Sequence, residues 1–182
     1  MTPAFRRAHA FTRRWEGGLS NDKHDPGGLT KWGVTLGLLV ALALDFNRDG
    51  RVDAKDLEAM TPEEAEALYF REFWQAMRCD DLPEPVALLV YEAAVNQGKT
   101  RAGRFLQVAA GVPVDGKVGP VTVAAARRAF ERAPRALLRE IAARRALHYS
   151  GLAIFARFGL GWFRRLFDAA MTAEAMACGA RP

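Results

Sequence analysis

The segment 86–95 constrains the fold of this chain most strongly, because it is apolar on almost every side. Within it, only Tyr91 and Glu92 carry polar groups. A helix that is apolar around its whole circumference is buried in a core and does not lie on a surface. Pro85 is placed to open this helix and Gly98 to end it. The segment therefore predicts the central helix of a helical bundle.

Proline and glycine residues divide the rest of the chain into further helices. Periodic apolar positions and capping residues predict helices over about 5–16, 35–44, 61–77, 100–111, 120–134, 134–150 and 161–178. Residues 19–35 are rich in Asn, Asp, Pro and Gly, which is typical of turns and a short hairpin. The predicted fold class is mostly α, with a small β-hairpin near the N-terminus.

The formal charge of +5 favours polyanionic partners such as nucleic acid, anionic lipid or cell-wall polymers; the alternative is that the charge only keeps the protein soluble. The arginines spread over 127–165 match no nucleic-acid-binding signature, and we expect no nucleic-acid partner.

The first residues lack the apolar region of a signal peptide, which predicts synthesis in the cytoplasm without a cleaved leader. Cys79 and Cys178 form no metal-ligand pattern; free thiols are the default, and one disulfide is the alternative.

Glu16 stands where a carboxyl group is expected to hold its proton. It follows Trp15 at the end of the first predicted helix and precedes two glycines. The negative end of a helix dipole, a neighbouring indole and partial burial all raise the pKa of a carboxyl group. A raised pKa is what a general acid in glycoside cleavage requires. The alternative is a solvated glutamate that simply ends a helix.

The wider segment resembles the signature of the family 108 glycoside hydrolases, the N-acetylmuramidases of phages and bacteria. The matching residues are EGG at 16–18, Asn21, DPGG at 25–28 with Thr30, and GVT at 33–35. Leu19 departs from the aromatic residue that is usual in the family, which puts one packing or sugar contact in doubt. The resemblance implies a lysozyme-like fold and cleavage of the β-1,4 bond between N-acetylmuramic acid and N-acetylglucosamine.

A second resemblance, to phage endolysins of the lysozyme type, concerns the spacing of Glu16, Asp25 and Thr30. It implies that Glu16 protonates the leaving oxygen, and that Asp25 and Thr30 hold or activate the water on the other face of the sugar. Asp25 lies in the predicted hairpin region, where it can face Glu16 across a cleft. The alternatives are a turn-forming aspartate before Pro-Gly-Gly and a threonine hydroxyl that serves only the hairpin.

The resemblance continues in the C-terminal half of the chain. Residues 91–98 are similar to a helix end of the same family, which implies that Asn96 contacts substrate; alternatively, Asn96 only closes the helix. The turn Asp115–Pro120 is similar to one in the peptidoglycan-binding region that accompanies the family, and we interpret this turn as structural.

The segment 45–56 has the spacing of a calcium-binding EF-hand loop. Asp45, Asn47, Asp49, Asp53 and Asp56 supply side-chain oxygens at positions 1, 3, 5, 9 and 12, Arg51 stands at position 7, and Gly50 occupies the sharp turn at position 6. The aspartate at position 12 is closer to dockerin modules than to most EF-hands. We predict one structural calcium ion; an acidic surface turn is the alternative.

These observations predict a single lysozyme-like domain over 1–182, with a catalytic segment at 5–35 and a helical, peptidoglycan-binding-like region at about 79–178. The predicted protein is a monomeric peptidoglycan hydrolase that acts on the cell wall after release or export. Its arginine- and aromatic-rich stretch 156–167 suggests peripheral contact with an anionic membrane or the cell wall. The alternative function is a non-catalytic, calcium-stabilised peptidoglycan-binding protein on the same fold.

Overall fold

The structure is a computed structural model that describes residues 1–15 and 30–179. It is mostly helical with one two-stranded sheet, as predicted. Nine α-helices and two strands occupy the described residues: α1 Pro3–Trp15, β1 Thr30–Lys31, β2 Val34–Thr35, α2 Leu36–Leu42, α3 Ala54–Ala59, α4 Pro62–Tyr69, α5 Glu84–Gln97, α6 Lys99–Ala110, α7 Pro120–Arg132, α8 Pro134–Ser150 and α9 Phe155–Ala177. A π-helical stretch over Phe70–Gln75 continues α4, and a short 3₁₀ helix covers Cys79–Asp81.

The chain divides into two compact units. One consists of Ala10–Tyr69, and the other of Met1–His9 together with Phe70–Pro182. In the first unit the hairpin β1–β2 packs against α2 and α3. The prediction of a single domain over 1–182 stays a prediction.

Helix α5 is the centre of the second unit, as its sequence predicts. It packs against α6, α8 and α9, and most of its side chains are buried. An aromatic cluster covers one side, where the ring of Phe5 meets those of His9, Phe70, Trp74 and Tyr91 at centroid distances of 4.9 to 5.9 Å.

Capping residues place most helix ends where the sequence predicts them. Thr61 and Glu64 form a reciprocal capping box at the start of α4, with N–O distances of 2.8 and 3.2 Å. Gly111 ends α6 in the left-handed conformation. Helix α6 begins at Lys99, one residue before the predicted start at residue 100.

The start of α9 was predicted wrongly. The helix begins at Phe155 and not at residue 161, because Gly159 and Gly161 are helical where their composition suggested a loop. Gly159 is buried, and a β-carbon there would lie 2.6 Å from the ring of Phe155. The glycine therefore makes room for an aromatic ring one turn earlier and does not break the helix.

Candidate active site

Of the three predicted catalytic residues, only Thr30 lies in the described part of the chain. Glu16 and Asp25 fall within residues 16–29, outside it. Thr30 opens β1, is half-buried, and pairs with Thr35 across the hairpin. The structure thus places one of the three residues, directly after the segment that carries the other two.

Lys31 fixes the hairpin to the end of α3. Its ammonium group donates to the backbone oxygens of Glu58 and Met60, at 2.6 and 2.9 Å. These carbonyls lie at the carboxyl end of the helix, where a positive charge is stabilising. On the other strand Val34 is fully buried, and the hydroxyl of Thr35 caps α2 by accepting from the Leu38 amide. The hairpin is therefore held from both of its strands.

The turn of the hairpin consists of Trp32 and Gly33, both with positive φ, at 55° and 77°. Two left-handed residues in succession are the mark of a type I′ turn, in which Asn, Asp or Gly is usual at the first position. A bulky residue held there costs on the order of 1–3 kcal/mol. Trp32 is also 46% exposed, so nearly half of this large apolar residue is open to solvent.

Helix α1 covers Pro3–Trp15, and its predicted last residue, Glu16, lies outside the described residues. Its last turn carries Arg13 and Arg14, both exposed. Positive side chains lower the pKa of a nearby carboxyl group, whereas the dipole at a helix's carboxyl end raises it. The protonation of Glu16 therefore stays a prediction.

The loop 45–53 turns sharply at Gly50 and is closed by its own side chains. Gly50 has a φ of +85°, and its amide donates to Asp45 at 2.8 Å. The amide of Asp49 donates to the side chains of both Asp45 and Asn47, at 3.2 and 2.9 Å. Asp53 is the N-cap of α3, a short helix that the sequence did not predict and that begins inside the predicted loop 45–56.

Asp56 is placed differently from the other acidic residues of this loop. It is fully buried, and its carboxylate accepts from the backbone amides of Phe46, Asn47 and Asp53, at 2.7, 3.1 and 2.8 Å. These amides lower the pKa of Asp56, the Asp53 amide most of all. Among residues 1–15 and 30–179, no group of three or more acidic, histidine or cysteine side chains is arranged to hold a metal ion. In this conformation Asp56 closes the loop through amides.

Asn96 belongs to a buried ionic cluster that the sequence analysis missed. Its amide nitrogen donates to the backbone oxygen and the Oε1 atom of Glu92, at 2.7 and 2.6 Å. The residue itself is exposed, and no hydrogen bond to its Oδ1 occurs within the described residues. The glutamate thus orients the amide, and the side-chain oxygen remains available as an acceptor.

The cluster is centred on Glu92, which is fully buried together with Arg145. Arg145 of α8 and Arg165 of α9 both donate to this carboxylate, and Arg145 also donates to Gln97 at 2.8 Å. Burial raises the pKa of Glu92, but the charges and hydrogen bonds of the two arginines outweigh burial and hold the pKa below its usual value. The cluster joins α5, α8 and α9. The sequence signal for this cluster is Glu92 itself, a lone carboxylate in an apolar helix, since such a group needs a buried cation.

The turn at Asp115 is structural, as we interpreted it. The buried side chain of Gln107 donates to Asp115 at 2.6 Å and accepts from the Gly116 amide at 2.7 Å. A β-carbon on Gly103 would lie 2.3 Å from the Gly116 oxygen, so α6 needs a glycine where the turn crosses it. These contacts hold the turn against α6.

Helix α9 presents an exposed face that mixes apolar and basic side chains. Leu160, Phe167 and Met171 are 60 to 70% exposed, and Arg157 and Arg164 lie beside them. In the described part of the chain, no helix is both long and apolar enough to cross a membrane. Contact of this face with an anionic membrane stays a prediction.

Cys79 is buried, Cys178 is exposed, and both are free thiols.

Comparison with known proteins identifies the two halves of the chain. Residues 9–98 match the family model described as Glycosyl hydrolase 108, and residues 101–167 match that described as Predicted Peptidoglycan domain. No curated protein matches the chain. Among solved structures, the "Structure of Brucella abortus SagA" is similar over 95% of both chains, with 32% identity and a TM-score of 0.83.

The family resemblance of the sequence motifs is therefore confirmed. A glycoside hydrolase region followed by a peptidoglycan domain makes this a peptidoglycan hydrolase, with peptidoglycan as its partner. With nearly full-length similarity to a solved relative, the chain belongs to the glycosyl hydrolase 108 family.

Proposed function

We propose that the chain is an N-acetylmuramidase that cleaves the β-1,4 bond between N-acetylmuramic acid and N-acetylglucosamine. The observation that carries the proposal is the family match over 9–98, which spans Glu16, Asp25 and Thr30. The structure supports it with the anchored hairpin that begins at Thr30.

In the proposed mechanism, Glu16 donates a proton to the oxygen of the leaving sugar. Asp25 accepts a proton from water on the opposite face, and the hydroxyl of Thr30 orients that water. Asn96 contacts the glycan through its free Oδ1, since its nitrogen is committed to Glu92. Each role needs only the side chain named and no cofactor.

Mass spectrometry of fragments released from purified peptidoglycan tests the bond specificity. A muramidase leaves N-acetylmuramic acid at the new reducing end, whereas a glucosaminidase leaves N-acetylglucosamine there. Pull-down on the same peptidoglycan without any released fragment would favour the alternative, a non-catalytic peptidoglycan-binding protein.

Asp25→Asn is expected to lower the rate of cell-wall lysis about 100-fold, because an amide cannot accept the proton of water. Thr30→Ala is expected to have a smaller effect in the same direction. Turbidity loss of a cell-wall suspension measures both rates.

Thr35→Ala is the matched control, since Thr35 faces Thr30 across the hairpin but caps α2. It should cost about 1 kcal/mol of stability and leave lysis unchanged below the melting temperature. Near wild-type lysis by folded Asp25→Asn would give the role of base to another group, with Asp22 the first to test.

We also propose that the loop Asp45–Asp56 binds one structural calcium ion. Asp45, Asn47, Asp49 and Asp53 offer side-chain oxygens and Arg51 a backbone oxygen, on a loop bent by Gly50. The fit is incomplete at position 12, where Asp56 is held by three amides. Bidentate binding there requires Asp56 to give up some of these hydrogen bonds, so we expect modest affinity.

Saturating calcium is expected to raise the melting temperature by about 5–10 °C, and a chelator to abolish the rise. Asp45→Ala combined with Asp49→Ala should remove the response. Glu63→Ala combined with Glu131→Ala removes the same amount of charge from exposed helical positions, and this double variant should still respond to calcium. Equal melting temperatures of the wild type in calcium and in chelator would refute the calcium site.

A further inference from the structure

Trp32 combines two features that folding alone does not favour. Its φ of 55° is strained for a bulky side chain, and 46% of its surface is exposed. The other three tryptophans are more buried: Trp74 completely, and Trp15 and Trp162 partly. Trp74 also packs its ring against Phe5 and Tyr91.

The indole of Trp32 makes no ring stacking and no hydrogen bond within residues 1–15 and 30–179. An asparagine at this turn position would adopt the same backbone at lower cost. Strain that the surrounding structure maintains, on a residue that the core does not use, points to a role in binding.

The rest of the hairpin holds Trp32 in place. Lys31, the preceding residue, is tied to the end of α3 by two hydrogen bonds, and Val34 is fully buried. Gly33 supplies the second left-handed residue of the turn without strain. The indole is thus presented on a two-residue turn anchored on both sides, only two residues beyond Thr30.

We propose that Trp32 is a stacking platform for a pyranose ring of the glycan strand. An indole offers a flat apolar face of the size of one sugar ring, and its N–H can reach a hydroxyl or an N-acetyl oxygen. The ligand class is an N-acetylated amino sugar within a β-1,4-linked chain. This inference rests on the proposed muramidase function and adds to it a residue that binds substrate.

The test compares Trp32→Ala, Trp32→Phe and Trp32→Asn with the wild type. Trp32→Ala should raise KM on solubilised glycan strands roughly tenfold with little change in kcat, and Trp32→Phe should recover most of the loss. Trp32→Asn should weaken binding as Trp32→Ala does, yet melt at or above the wild-type temperature, because asparagine relieves the turn. Val40→Ala, which shortens another exposed apolar side chain of the same unit, should change neither KM nor kcat.

Binding is measured separately with the N-acetylglucosamine tetramer, in the Glu16→Gln background so that no hydrolysis occurs. The affinity should fall roughly tenfold with Trp32→Ala and Trp32→Asn. Unchanged KM and unchanged tetramer affinity in a lytic enzyme would overturn the platform and leave the muramidase proposal standing. A wild type that releases no muropeptides would overturn the muramidase proposal itself. Lower stability of Trp32→Asn with unchanged binding would make Trp32 a structural residue.

Discussion

Glu16→Gln is expected to lower cell-wall lysis by 10²–10⁴-fold, at the scale typical for loss of a general acid. The amide is nearly isosteric with the carboxyl group but has no proton to give to the leaving oxygen. Turbidity loss and fragment release from purified peptidoglycan measure the effect on the same samples.

Two controls separate lost chemistry from lost folding. The melting temperature and the circular dichroism spectrum of Glu16→Gln should match those of the wild type, and binding to insoluble peptidoglycan should persist. Glu63→Gln, the same change on the exposed first turn of α4, should leave lysis intact. A purified Glu16→Gln protein that retains most of its activity would refute the catalytic assignment.

The helices were predictable because their ends carry local signals. Pro120 and Pro134 open α7 and α8 where expected, and Gly111 ends α6. The errors arise where a tertiary contact overrides the local signal, as at Gly159, which is helical because Phe155 needs the space. No pattern in the sequence alone states that requirement.

The candidate site likewise has a part that local sequence signals predict and a part that depends on tertiary contacts. The motif with Glu16, Asp25 and Thr30 lies within one short segment, so a family resemblance finds it, and the family match over 9–98 covers that segment. The strain and exposure of Trp32 and the partners of Glu92 depend on three-dimensional placement. Arg145 and Arg165 lie 53 and 73 residues from Glu92 among many other arginines, and sequence offers no means of choosing them.

Glu92→Gln is expected to destabilise the protein by about 3–5 kcal/mol, the scale for removing one partner from a buried ion pair. Arg145, which has no exposed side-chain surface, would lose its counter-charge. Urea unfolding at pH 7 measures the change. Glu140→Gln is the matched control, because Glu140 and Arg144 form an exposed pair on α8, with 41% and 44% of their side chains accessible. That control should cost no more than about 0.5 kcal/mol.

The pH dependence of the free energy of unfolding shows whether the charge of Glu92 is responsible for the stability lost in Glu92→Gln. The pKa of Glu92 is lower in the folded protein than in the unfolded chain, where a glutamate titrates near 4.3. A carboxyl group whose pKa is lower in the folded protein stabilises the fold at pH values above its pKa in the unfolded chain. This stabilisation disappears as the pH falls through the pKa of the folded protein. The difference in free energy of unfolding between wild type and Glu92→Gln should therefore have its full size at pH 7 and shrink below about pH 4. A gap that stays constant with pH would mean that Glu92 contributes shape and hydrogen bonds, and that its charge is immaterial.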